Sequence, residues 1–163
     1  MNLFLDIGKM TIPDLRIALL KPLVVGAIPV VFTIFTHALA VMATLGFIRR
    51  EKRLGREGVS FRNDFLMVML TMTFTLAAHL IEIAWWAVLF IFCGEFHEFG
   101  IAYYHSAMNY TTLGYGDLIM TPAWRLLGPL EAANGMLMFG VSTAMIFAVM
   151  QRLIQARFVD LRD

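Results

Sequence analysis

Three long apolar segments, each almost empty of charge, constrain this chain more than anything else in it. Between Phe65 and Phe92 the only ionisable side chains are His79 and Glu82; between Ala27 and Ile48 the only one is His37; between Leu126 and Met150 the only one is Glu131. A helix needs roughly 20 mostly apolar residues to cross about 30 Å of hydrocarbon, and all three segments are long enough. The composition agrees. Of the 163 residues 60% are hydrophobic and 15% charged, with mean hydropathy +0.74, against about 45–50% and 25% in soluble domains. The sequence predicts an all-α integral membrane protein.

Residues 1–21 carry Asp6, Lys9, Asp14 and Arg16 among leucines and isoleucines and are expected to form a short interfacial segment before a first transmembrane helix at 22–48. The small residues at Ala38-Leu39-Ala40 resemble a signal-peptide cleavage site, but the chain stays apolar to Ile48, so the segment is retained as a span. The loop at 49–64 holds Arg49, Arg50, Lys52, Arg53, Arg56 and Arg62. Short basic loops stay in the cytoplasm, which places the N-terminus and residues 93–125 outside. The tail at 153–163 then lies inside, in a multi-pass protein of the inner cell membrane. Arg50, Arg53 and Arg56 recur every third residue, but Glu51, Lys52 and Gly55 lie between them. That is a solvated loop, suited to anionic lipid headgroups, and not a voltage-sensing helix.

Several function classes drop out. Spans and connections occupy nearly the whole length, so no soluble enzyme or ligand-binding domain is expected. No nucleophile–base pair or metal-ligand spacing appears, and no cofactor is expected. The formal net charge of +1 singles out no partner, and none of nucleic-acid type is expected. Cys93, alone in the sequence, cannot form an intrachain disulfide.

The segment 93–125 is the odd one. Phe99 to Tyr110, "FGIAYYHSAMNY", has no proline and repeats Ile101, Tyr104, Ala107 and Met108 at helical spacing. Such a helix reaches only about 16 Å; it can enter a membrane and stop halfway. The chain then returns through Thr111 to Asp117, "TTLGYGD". Irregular backbone at that depth survives only where it is buried in protein or lines a water-filled path, so this is predicted to be a re-entrant pore loop. Gly114 and Gly116 tolerate φ > 0. Alternating ordinary and left-handed residues turns successive carbonyls to one side, so Thr112, Leu113, Gly114 and Tyr115 can line an axis with oxygens that replace a cation's water shell. One chain has one such loop, so four copies around a four-fold axis are needed to enclose an ion.

At these residues the chain resembles the potassium-channel family. Thr112-Leu113-Gly114-Tyr115-Gly116-Asp117 is similar to its selectivity-filter signature, with Leu113 where the common form has valine. The resemblance covers about residues 65–152: an outer helix at 65–92, a pore helix at 99–110, a filter at 111–117 and an inner helix at 126–152. It implies a homotetrameric channel passing potassium as the permeant ion, bound by Thr112, Leu113, Gly114 and Tyr115, with Gly116 completing the filter. It further implies support from Thr111 and Tyr104, the latter bonded to Asp117, and from His105 near the Tyr115 hydroxyl of a neighbour. Met108 stands where several bacterial relatives have a glutamate paired with the signature aspartate. Gly135 is the candidate inner-helix hinge, close helix packing being its other use. A non-selective cation channel, a potassium-transporter subunit and a non-conducting accessory subunit are the alternatives.

Polar residues inside the spans remain. His79 and Glu82 share a helix face, as do Glu131 and Asn134. Charged groups facing lipid are costly, so these four are expected to meet across helices, either as a hydrogen-bonded cluster or as a proton-sensing one. The outer mouth is expected to be mildly acidic through Glu95, Glu98 and Asp117.

Overall fold

A computed structural model describes the backbone of residues 12–55 and 60–159 and the side chains of residues 19–55 and 60–157. The described residues form four helices and no strand: α1 (Ile12–Arg53), α2 (Phe61–Phe92), α3 (Phe99–Tyr110) and α4 (Leu127–Val159). The stretches Leu19–Arg53, Phe61–Phe92 and Leu127–Arg157 are long and apolar enough to cross a membrane. An all-α membrane protein is what the charge-free segments predicted.

The helices outrun the apolar segments that seed them. At 1.5 Å per residue, the 32 residues of α2 extend roughly 48 Å, well past the hydrocarbon. Arg50, Lys52 and Arg53 form the last turn of α1, where cations complement the helix dipole. Residues 12–21 continue directly into α1 and are not a separate piece; the rest of the expected interfacial segment, 1–11, lies outside the described residues. Pro22 and Pro29 lie within α1, and each removes one backbone donor. Threonines inside the spans bond back to their own helix: Thr71 donates to the Met67 carbonyl at 2.8 Å and Thr44 to that of Ala40 at 2.9 Å.

α1 packs against α2 and α4, and α3 sits between α2 and α4. Two apolar clusters hold the bundle. The larger, at the α3 end, joins Ile83, Trp86, Leu89 and Phe90 of α2 to Tyr110, Met120, Leu127 and Met138. The smaller, at the basic end, joins Ile48, Met67, Val149 and Leu153. Large apolar side chains elsewhere on the spans, such as Phe35, Leu76 and Phe147, are exposed in the single chain, as lipid- or subunit-facing residues must be.

Candidate functional site: the return strand and the polar core beside it

α3 ends at Tyr110, and the chain unwinds without a glycine. Thr111 still closes a helical bond to the Ala107 carbonyl at 3.1 Å. Thr112 then takes φ = +60°, the only described non-glycine residue with positive φ. A β-branched residue there costs about 1–2 kcal/mol, so the surroundings must hold it. Gly114 and Gly116 follow at φ = +53° and +73°. Left-handed conformation therefore recurs at every second residue, 112, 114 and 116, with Leu113 and Tyr115 between them. That alternation is the backbone condition for successive carbonyls to face one side. All seven residues from Thr111 to Asp117 are exposed within one chain, Tyr115 by 69%.

One side-chain bond pins this strand, and two further polar groups lie beside it. The Tyr104 hydroxyl donates to Asp117 Oδ2 at 2.9 Å, and that bond raises the phenol above its ordinary pKa, keeping it a donor. Glu95, expected at an acidic mouth, is instead engaged just beyond the strand: its carboxylate accepts from the Thr121 backbone N–H at 2.8 Å and from the Thr121 hydroxyl at 2.5 Å. His105 is buried within its own chain, its ring 4.9 Å from Phe96 and 5.4 Å from Phe90, with Nε2 accepting from Asn109 at 3.0 Å. Burial holds its pKa below the ordinary histidine value. Met108, His105, Thr112 and Gly114 border a cavity of about 360 Å³ behind the strand.

Gly135 lies where α4 passes the end of α3. A Cβ there would collide with the Tyr110 carbonyl oxygen. Close approach alone therefore requires a glycine at 135.

The four intramembrane polar residues do not meet as one group; the structure distributes them over three. Asn134 turns to α1, where its Nδ2 donates to Thr33 Oγ1 at 2.8 Å. Glu131 turns to α3, with Oε1 2.5 Å from the Ser106 hydroxyl and Oε2 without a partner. His79 and Glu82 turn to each other and to His37. Equal spacing on a helix face says which residues point together, not what stands opposite, and α1 and α3 stand opposite here.

The third group is the densest. Glu82, wholly buried, lies 2.9 Å from His37 Nδ1 and 3.3 Å from His79 Nδ1 and accepts from the Tyr110 hydroxyl. His79 Nδ1 is also 3.1 Å from the Tyr110 oxygen. On the far side of both rings stands Ser142 Oγ, 2.9 Å from His79 Nε2 and 3.2 Å from His37 Nε2. His37, His79 and Glu82 offer ligand atoms within 4.8 Å of one another. Tyr110, Ser142, Ser106 and Thr33 were not anticipated as members of any site. Their only signal was a hydroxyl in an apolar run, which is weak because hydroxyls also bond their own helix.

Three helices long and apolar enough to span, with a short helix and a strand of alternating handedness between the last two, are the architecture of a membrane protein. Residues 78–152, from the second half of α2 through α3 and the return strand into α4, match the model of the ion-channel family. No curated protein and no solved structure matches the chain.

Proposed function

We propose that this protein is a potassium-selective channel whose pore is completed by four copies of the chain. The observation that carries the reading is the alternation of positive φ at Thr112, Gly114 and Gly116 within Thr-Leu-Gly-Tyr-Gly-Asp. Four such strands around an axis present rings of carbonyls from Thr112, Leu113, Gly114 and Tyr115, dipoles able to replace a potassium ion's hydration shell. Their exposure in one chain suits a surface that other subunits cover. Gly116, Thr111, Tyr104 and Asp117 brace that filter, and His105 supports it through Phe90 and Phe96. Gly135 is the proposed gate hinge, because a bend there moves the Tyr110 backbone one residue before the filter begins. By the same reading the basic end of the bundle, 49–64, faces the cytoplasm and its anionic lipids.

Purified protein in liposomes under potassium/sodium gradients tests this. A reversal potential near the potassium equilibrium value supports it. A reversal indifferent to which cation is present makes the protein a non-selective channel, and an absence of current makes it an accessory subunit.

A further inference from the structure

With both histidines neutral and Glu82 ionised, the ring of polar atoms around Glu82 lacks one positive charge. Each imidazole has Nδ1 toward the Glu82 carboxylate and Nε2 toward Ser142, and the serine has one proton for three neighbours: the two Nε2 atoms and the Met138 carbonyl at 3.0 Å. Suppose both neutral rings carry their proton on Nδ1. Two Nε2 lone pairs then compete for one serine proton, and one acceptor is left unmet. Suppose both carry it on Nε2. Then Ser142 accepts twice and donates to Met138, every bond around it is made, and two Nδ1 lone pairs converge on a carboxylate. With His37 protonated on Nδ1 and His79 on Nε2, Glu82 Oε2 and His79 Nδ1 share the single Tyr110 proton. With the reverse, His37 Nδ1 faces Glu82 Oε1 lone pair to lone pair at 2.9 Å. Every assignment with neutral histidines and an ionised Glu82 leaves acceptors in contact and a net negative charge buried among apolar helices, which is costly.

We propose that His37, His79 and Glu82, with the Tyr110 hydroxyl oxygen as fourth donor, bind a divalent d-block cation of the zinc class. A tetrahedral site with about 2.0–2.1 Å bonds to nitrogen and oxygen has ligand–ligand edges of roughly 3.3 Å. Glu82 Oε1 is 2.9 Å from His37 Nδ1, Glu82 Oε2 is 3.3 Å from His79 Nδ1, and His79 Nδ1 is 3.1 Å from the Tyr110 oxygen, so the carboxylate turns to offer one oxygen to the ion. Small ring rotations bring the two histidines onto one ion. Metal-bound histidines donate their other N–H to an acceptor that fixes the ring, and Ser142 Oγ, with two lone pairs, serves both. An extra proton on one ring would also cancel the charge, with Ser142 donating to the other ring instead of to Met138, whose carbonyl keeps its own helix N–H; the zinc titration separates the two. The metal satisfies all the contacts at once.

The site would tie α1 to α2 and, through Tyr110 and Ser142, to α3 and α4. His37 lies outside the 78–152 stretch matched to the ion-channel family, so the site depends on this chain's additional helix. It is independent of the ion conducted by the pore.

The full chain, purified in detergent and stripped with a chelator, is titrated with cobalt(II) and then zinc(II). One cobalt per chain with the intense visible bands of tetrahedral coordination, bleached by zinc, is the expected result. Ser142→Ala keeps all four donors and should weaken binding about 10–100-fold; Glu82→Gln and His37→Asn should abolish the bands. No visible bands in the wild-type protein, with a melting temperature that zinc does not move, would overturn the proposal, as would undiminished cobalt binding in Glu82→Gln. A melting temperature that responds to pH but not to zinc would make this a proton site and overturn it equally. The wild-type titration decides even if a ligand variant does not fold.

Discussion

The return strand and the histidine–carboxylate group meet at the peptide bond between Tyr110 and Thr111, yet they are built in opposite ways. The strand is consecutive in sequence, exposed, and held by a few side chains at its edges, Tyr104 on Asp117 and Glu95 on Thr121. The group draws on all four helices, is almost wholly buried, and is complete inside one chain. One is a local backbone pattern whose outer face is exposed in the single chain; the other is a non-local knot that adjoins the start of that pattern. Conduction should therefore fail by small changes in the strand, and folding by small changes in the knot.

Glu82→Ala should break the contrast most severely. It removes the carboxylate that His37, His79 and Tyr110 converge on and leaves their buried polar atoms unmatched, a loss of about 3–5 kcal/mol, typical when one partner of a buried pair is deleted. Native proteins hold only about 5–15 kcal/mol in reserve, so the monodisperse fraction on size exclusion should collapse. A fully folded, thermally unchanged Glu82→Ala protein would show that the knot does not hold the bundle.

Gly135→Ala comes next. Its methyl group meets a backbone oxygen, that of Tyr110, which cannot turn aside as a side-chain tip can. Overpacking of this kind costs about 1–3 kcal/mol. The melting temperature should fall, and open probability should change with it, because the displaced atom adjoins the strand. A lower melting temperature with unaltered currents would separate packing at 135 from gating.

Gly114→Ala should show the reverse balance. Within one chain nothing lies within 4 Å of the position a Cβ would take, so inside that chain the substitution meets only the left-handed backbone, at about 1–2 kcal/mol. Helicity and the cobalt spectrum should be kept while ion flux in liposomes is lost or its cation preference relaxed. Wild-type flux and preference would mean that the left-handed turn at 114 is dispensable.

The same contrast explains what could be read in advance. A fold class follows from runs of apolar residues, and the strand's chemistry follows from glycine spacing; both are properties of neighbouring residues. The pairing of Asn134 with Thr33, 101 residues away, and of His37 with Glu82, 45 residues away, depends on how helices are set against one another. No metal-ligand spacing was visible because the two histidines lie on different helices, His37 on α1 and His79 on α2. Glu131 and Asn134 share a helix but are drawn to different neighbours, Ser106 on α3 and Thr33 on α1. The bond of Glu95 to Thr121 was not legible, because a backbone N–H carries no sequence signature and a lone threonine hydroxyl very little. Helix ends were hidden for another reason: charged residues such as Arg50 and Arg157 end a hydrophobic run but not a helix, since they bond well with water while the backbone continues.

The smallest effect belongs far from both regions, where α2 and α4 meet at the basic end. Arg157 Nη2 is 3.2 Å from Asp64 Oδ2, with the two side chains 43% and 13% exposed. Exposed ion pairs contribute about 0.2–1 kcal/mol, and salt screens them over roughly 10 Å at 0.1 M and 3 Å at 1 M. Arg157 also lies 5.7 Å over the Phe61 ring, a contact worth a similar amount that depends on its planar charge and its stem more than on a fixed anion. Arg157→Gln should thus lower the melting temperature only slightly, and the gap to wild type should narrow from 0.1 to 1 M salt if Asp64 dominates. A gap that salt leaves unchanged, and that disappears when Phe61→Leu is the background, would assign the contribution to the ring. A gap as large as that of Glu82→Ala would remove the distinction between a tightly built core and a lightly tethered basic end, since the fold would then depend on both ends alike.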